Sequence, residues 1–100
     1  MDNKDKIAYL KKLISVKPVN EGAYYEVLEK CGALKVNYGD FMKTVPIDCN
    51  TELLRLPTAD YDLCCALITM LLREDHFCNG SFERRYSKGE VTSIIERMIS

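Results

Sequence analysis

From Leu63 to Leu72 every residue except Thr69 is apolar, and the run stops abruptly at Arg73-Glu74-Asp75. Ten residues fall well short of the ~20 that cross a bilayer. A helix with no polar face must therefore be surrounded on most sides by the rest of its own chain. Thr58 is a good N-cap, and Asp60 favours the positive end of the helix dipole. The sequence thus predicts a buried helix over about 59–75 at the centre of a mainly α, compact single-domain fold.

The flanking segments look suited to wrap that centre. Ile7, Leu10, Leu13 and Ile14 form a one-sided stripe, with Asp2 or Asn3 as cap and Pro18 as stop. After an N-cap at Asn20, Tyr24, Val27, Leu28 and Cys31 recur at helical spacing, and Gly32 stands where a left-handed C-cap residue belongs. Phe82 and Tyr86 point inward from one or two helical turns over 81–87. Ser87-Lys88-Gly89-Glu90 reads as a capping box opening a last helix with Val91, Ile94, Ile95 and Met98 on one stripe. The middle, 33–57, is irregular. Leu34, Val36 and Tyr38 alternate as a short β-like piece would, and Pro46 and Pro57 interrupt the remainder of the segment.

The 100 residues, 47% apolar and 29% charged with net charge −1, suit one small globular domain over 1–100. They exclude a polyelectrolyte, a collagen-like repeat and a disordered tail. With no tryptophan and 9% aromatic residues, an aromatic platform for nucleic acid is not expected. Residues 1–20 carry five lysines against two aspartates, and 21–62 carry four basic against eight acidic groups. Such mild asymmetry is too weak for binding a phosphate backbone directly. The charged start lacks the apolar core of a secretory signal, and the cysteines are odd in number. The expected setting is cytoplasmic, with reduced thiols and no membrane contact.

The text Ala66-Leu67-Ile68-Thr69-Met70-Leu71-Leu72-Arg73-Glu74-Asp75-His76-Phe77-Cys78-Asn79-Gly80, followed by Gly89-Glu90-Val91-Thr92-Ser93-Ile94-Ile95-Glu96-Arg97-Met98, resembles an uncharacterised prokaryotic family, the domain of unknown function numbered 6508. The match is best over Asp60 to Met98, and Val36-Asn37-Tyr38-Gly39-Asp40-Phe41 looks like the family's aromatic patch. The chain departs from the pattern at His76, where the family carries arginine, and in the doubled Cys64-Cys65. The resemblance implies a small, mainly helical fold and no established activity.

Reactive groups gather only at Asp75-His76-Phe77-Cys78. A thiol beside an imidazole can act as nucleophile and base, yet in the family's pattern the cysteine persists without the histidine. The plainer reading packs Phe77 and Cys78 beneath the turn and leaves His76 solvated. His76 and Cys78 with Cys64 and Cys49 are a candidate zinc set, although no Cys-x-x-Cys spacing supports it. Cys31 and Cys64 sit on apolar stripes and read as core. Arg84, Arg85 and Lys88 read as a solvated basic face. No phosphate loop or paired catalytic carboxylates are visible, so an enzyme is the less favoured class and no cofactor is expected, with zinc as the one alternative.

By elimination the leading expectation is a binding or regulatory module of bacterial or phage origin. It would act through a partner protein or as a homodimer, using Tyr25, Glu26, Glu29, Asp40 and Asp48. A specific version is an inhibitor that docks on a host defence or nucleic-acid machine. The alternative is a zinc-stabilised or thiol-dependent protein centred on His76 and Cys78.

Overall fold

A computed structural model describes residues 3–15 and 21–99. These form six α-helices: α1 (Asn3–Ser15), α2 (Glu21–Lys30), α3 (Cys49–Leu53), α4 (Tyr61–Phe77), α5 (Ser81–Ser87) and α6 (Glu90–Ile99). Short 3₁₀ turns span Tyr38–Phe41 and Leu56–Thr58. Helix α4 is the axis, and every residue from Cys64 to Leu72 on it is buried. Helices α3, α5 and α6 and the Tyr38–Phe41 turn pack around it, and α1 closes the assembly against α2 and α6. Full burial of side chains such as Leu67, Ile68 and Leu71 contributes about 1.5–3 kcal/mol each.

Thr69, the one polar residue of the run, is accommodated by hydrogen bonds. Its hydroxyl donates to the Cys65 carbonyl at 2.7 Å and accepts from the Lys35 amide at 3.0 Å. That second bond explains why the expected β-like piece does not form. The Lys35 amide is taken by a side chain of α4 rather than by a partner strand, and Val36 next to it is 92% exposed. Among the described residues there is no strand, and the alternation of Leu34, Val36 and Tyr38 leads into the 3₁₀ turn instead.

Three end signals differ from expectation or extend it. Asp60, not Thr58, caps α4, accepting from the Leu63 amide at 2.8 Å, because Thr58 already closes the preceding 3₁₀ turn. Ser87-Lys88-Gly89-Glu90 is not a capping box. Ser87 is the last residue of α5, Gly89 turns the chain at φ +82°, and the Glu90 carboxylate accepts from Arg85 instead. At the end of α2, Gly32 adopts φ +68° as expected. The Ala33 amide donates to Leu28 O and that of Gly32 to Glu29 O, the two bonds of a Schellman ending. The caps expected at Asp2 and Asn20 and the stop at Pro18 fall outside the described residues or, for Asn3, inside α1 itself.

Helix α2 carries its apolar stripe into the centre. Tyr24 is buried, its hydroxyl donates to the Leu13 carbonyl at 3.3 Å, and its ring meets Phe82 edge-on at 5.3 Å. The stripe on α6 (Val91, Ile94, Ile95 and Met98) is buried as its spacing predicts. Cys31 and Cys64 are core residues, and Cys65 joins them.

Candidate functional site

Two grooves flank the C-terminal end of α4, and Arg73 lines both. The shape of the larger one depends on a buried carboxylate in the irregular middle. Asp48 caps α3 by accepting from the Thr51 amide, which places Glu52 one turn into the short helix. The Glu52 side chain is 1% exposed. It accepts from the Lys43 amide at 2.9 Å, the Thr44 amide at 2.7 Å and hydroxyl at 2.5 Å, and Arg55 Nη1 at 2.7 Å. Burial pushes this carboxyl up, but the bonds from Thr44, Arg55 and Lys43 outweigh it and hold it near 2. Arg55 also donates to the Phe41 carbonyl at 2.7 Å. The loop from Phe41 to Asp48, with its cis Val45–Pro46 peptide, is thereby clipped to α3.

The clipped loop is one wall of the larger groove, a cavity of about 680 Å³. Pro46, Ile47 and Tyr38 face Met70 and Phe77 across it, and Cys49, Cys78, Glu74 and Arg85 supply the polar lining. Arg85 is held by four bonds: to Glu74 through Nε (3.0 Å) and Nη2 (2.9 Å), and through Nη1 to Glu90 (3.0 Å) and Asn50 (2.6 Å). Ser81 Oγ also donates to Glu74. The Arg85 guanidinium, helped by Ser81, holds the Glu74 carboxyl near 2, while Glu74 and Glu90 push Arg85 further up. Burial, then the Glu74 charge and hydrogen bond, push the Cys49 thiol up to about 12. Cys49 is therefore a protonated donor at neutral pH, and Glu74 is an acceptor already occupied. Neither is free to act as nucleophile or base.

The smaller groove, about 250 Å³, lies on the other side of Arg73 between α2 and α4. Tyr25 and Glu29 face Lys35, Val36, Arg73 and His76. Lys35 reaches Asp62 at 3.4 Å.

The residues singled out from the sequence are thus dispersed. His76 lines the smaller groove, Cys78 and Cys49 line the larger one, and Cys64 is buried inside the core. Among the described residues, no three of His, Cys, Asp and Glu come together in a way that could hold a metal ion. Of the candidate partner-binding residues, Tyr25 and Glu29 line the smaller groove and Asp48 the larger. Glu26 meets Lys30 at 3.9 Å, and Asp40 is exposed on the Tyr38–Phe41 turn.

Phe77 does not pack beneath the turn. Helix α4 runs two residues beyond the predicted end, which sets Phe77 one turn above Arg73 on the outer face, 88% exposed. Cys78 is exposed as well.

Sequence reasoning missed Glu52 and Arg85. Glu52 had a local signal, since Glu-x-x-Arg places Arg55 on the same helical side. Arg85 had none that separates it from the neighbouring Arg84 and Lys88, because its partners come from three other helices.

A family model described as a family of unknown function (DUF6508) matches residues 4–100. No curated protein and no solved structure matches. Among the described residues no helix is long and apolar enough to cross a membrane.

Proposed function

The chain belongs to the DUF6508 family of unknown function, and we propose from its own geometry that it is a non-enzymatic module binding a partner protein across the end of α4. The observation that carries this reading is Phe77, an aromatic ring left 88% exposed on the rim of the larger groove. Ile47, on the facing wall, and Val36 and Tyr25, in the adjoining groove, are exposed too. Arg73 lies between the two grooves. Aromatic rings and arginine beside a groove are the composition of binding hot spots, and exposed apolar surface of this kind favours a covering partner. The polar lining points the same way, since Cys49 is protonated and Glu74 and Arg85 neutralise each other. This leaves a recognition surface and no reacting pair.

The setting we infer is the cytoplasm of a bacterium or a phage-infected cell, with reduced thiols. The narrower reading, an inhibitor seated on a basic nucleic-acid-binding surface of its target, draws on Glu26, Glu29, Asp40 and Asp48. Reversing those four charges should then abolish binding.

The test of the broader reading is affinity capture with quantitative mass spectrometry, comparing the native chain with Phe77→Asp. Leu54→Asp serves as control, because Leu54 is exposed but lines neither groove. We expect a partner enriched by the native chain and by Leu54→Asp, and lost with Phe77→Asp. If the partner is a second copy, sedimentation will give a concentration-dependent dimer that Phe77→Asp dissolves. Equal enrichment by both variants, with no self-association, overturns the reading.

A further inference from the structure

We propose that the partner across the end of α4 is a second copy of this chain, with Phe77 of each copy entering the larger groove of the other and Arg73 of each meeting Asp48 of the other. The inference rests on the docking reading above and names its occupant. In a two-fold contact the same patch serves both copies, so residue i meets residue j and j meets i. Such a patch needs apolar groups and unpaired charges of both signs within one surface. The larger groove carries them on its two walls. Ile47 and Asp48 belong to the wall made by the clipped loop and the start of α3, and Arg73 and Phe77 to the wall made by α4.

Four charged side chains line the groove, and Glu74 and Arg85 are bound to each other at 2.9 Å. The other two, Arg73 and Asp48, are exposed, and neither makes an ion pair among the described residues. The Asp48 carboxylate has only its cap bond from the Thr51 amide, at 3.3 Å. A two-fold partner supplies each of these charges with its opposite, which fixes the register of the contact. The four charges sum to zero, and the chain's net charge of −1 sets little repulsion between two copies. The apolar groups follow the same symmetry, since Phe77 on one wall and Ile47 on the other are both exposed. Paired across the axis, the two rings and the two Ile47 side chains form an apolar centre rimmed by two Arg73–Asp48 pairs, the usual anatomy of a protein interface. A groove of about 680 Å³ matches the ~300–1,000 Å³ of sites that enclose a whole small molecule, so a phenyl ring enters without displacing a wall.

The test is sedimentation velocity over a concentration series of the full chain and its charge reversals. We expect the native chain to dimerise reversibly. Arg73→Asp and Asp48→Arg, each alone, set like charges against each other twice per dimer and should weaken dimerisation at least tenfold. An equimolar mixture of these two variants should restore the dimer, because a heterodimer of them has both pairs with their charges exchanged. No contact with a different protein gives that rescue. Asp48→Arg removes the cap of α3, so circular dichroism verifies its fold. Asp48→Asn keeps the cap, loses only the charge and should weaken the dimer by a smaller factor. A chain that stays monomeric at every concentration, a dimer that the reversals leave unchanged, or a mixture no more associated than either variant alone overturns the inference. A monomeric chain whose captured partner is still lost with Phe77→Asp would leave the docking reading standing, so the two fail separately.

Discussion

Replacing Glu52 by glutamine removes one charge from the clip that shapes the larger groove while keeping the size of the side chain. In the native protein one carboxylate oxygen accepts three bonds from Lys43 and Thr44, and the other accepts from Arg55. A glutamine can accept on one side only. If its oxygen faces Thr44, its amide hydrogens face the donor Nη1 of Arg55. The carboxyl lies near 2 in the folded chain against an ordinary value of 4.5. At about 1.4 kcal/mol per pH unit, that difference makes the ionised group worth about 3 kcal/mol at pH 7. A depressed carboxyl contributes its stability above the unfolded value, and loses it as pH falls toward the folded one. The gap between native chain and Glu52→Gln should therefore stand near 3 kcal/mol at pH 7 and shrink to about 1–2 kcal/mol at pH 3. Urea unfolding followed by circular dichroism at the two pH values measures it. A gap below about 1 kcal/mol at pH 7, or one that does not change with pH, would refute the account of Glu52 as a buried, hydrogen-bonded anion.

Other outcomes rest on the same geometry. Glu74→Ala removes two of the four bonds of the Arg85 guanidinium, only 11% exposed, and leaves Glu90 as its ion-pair partner; it should cost about 2–4 kcal/mol, read as a lower urea midpoint. Leu67→Ala in the fully buried centre of α4 should cost about 2–5 kcal/mol, and a smaller loss in the same assay would mean a looser core. Of the five thiols, Cys78 should react first with iodoacetamide, Cys49 slowly, and Cys31, Cys64 and Cys65 only after unfolding; peptide mass mapping at timed intervals gives the order. Gly32→Ala, at φ +68° with open space around it, should cost about 1 kcal/mol from backbone strain alone, measured as a fall in the thermal midpoint.

The centre of this fold was legible because its signal is local and strong. A run such as Leu63–Leu72 has no polar face to offer solvent, and Gly32 marks the end of α2 by a conformation that other residues resist. The middle was not legible, because its order comes from one acceptor that meets its loop donors eight and nine residues away, outside any helical or strand period. Nothing in the spacing of Lys43, Thr44 and Glu52 announces that three donors will converge on a single carboxylate. The surface was legible in part. Tyr25 is exposed, as its place off the stripe of α2 implied. Phe77 and Arg85 exchanged their expected places, since two extra residues of α4 carry the ring outward while the register of four helices draws the arginine inward.

Arg85 stands on a helix of only seven residues, yet its side chain bonds to α3 through Asn50, to α4 through Glu74 and to the start of α6 through Glu90. A helix that short has almost no tendency to persist alone in water. Its backbone amides should consequently exchange with solvent only when the neighbouring helices also open, and at the rate of those openings. The C-terminal half would then behave as one cooperative unit. A single side chain would decide whether this small domain comes apart piecemeal or all at once.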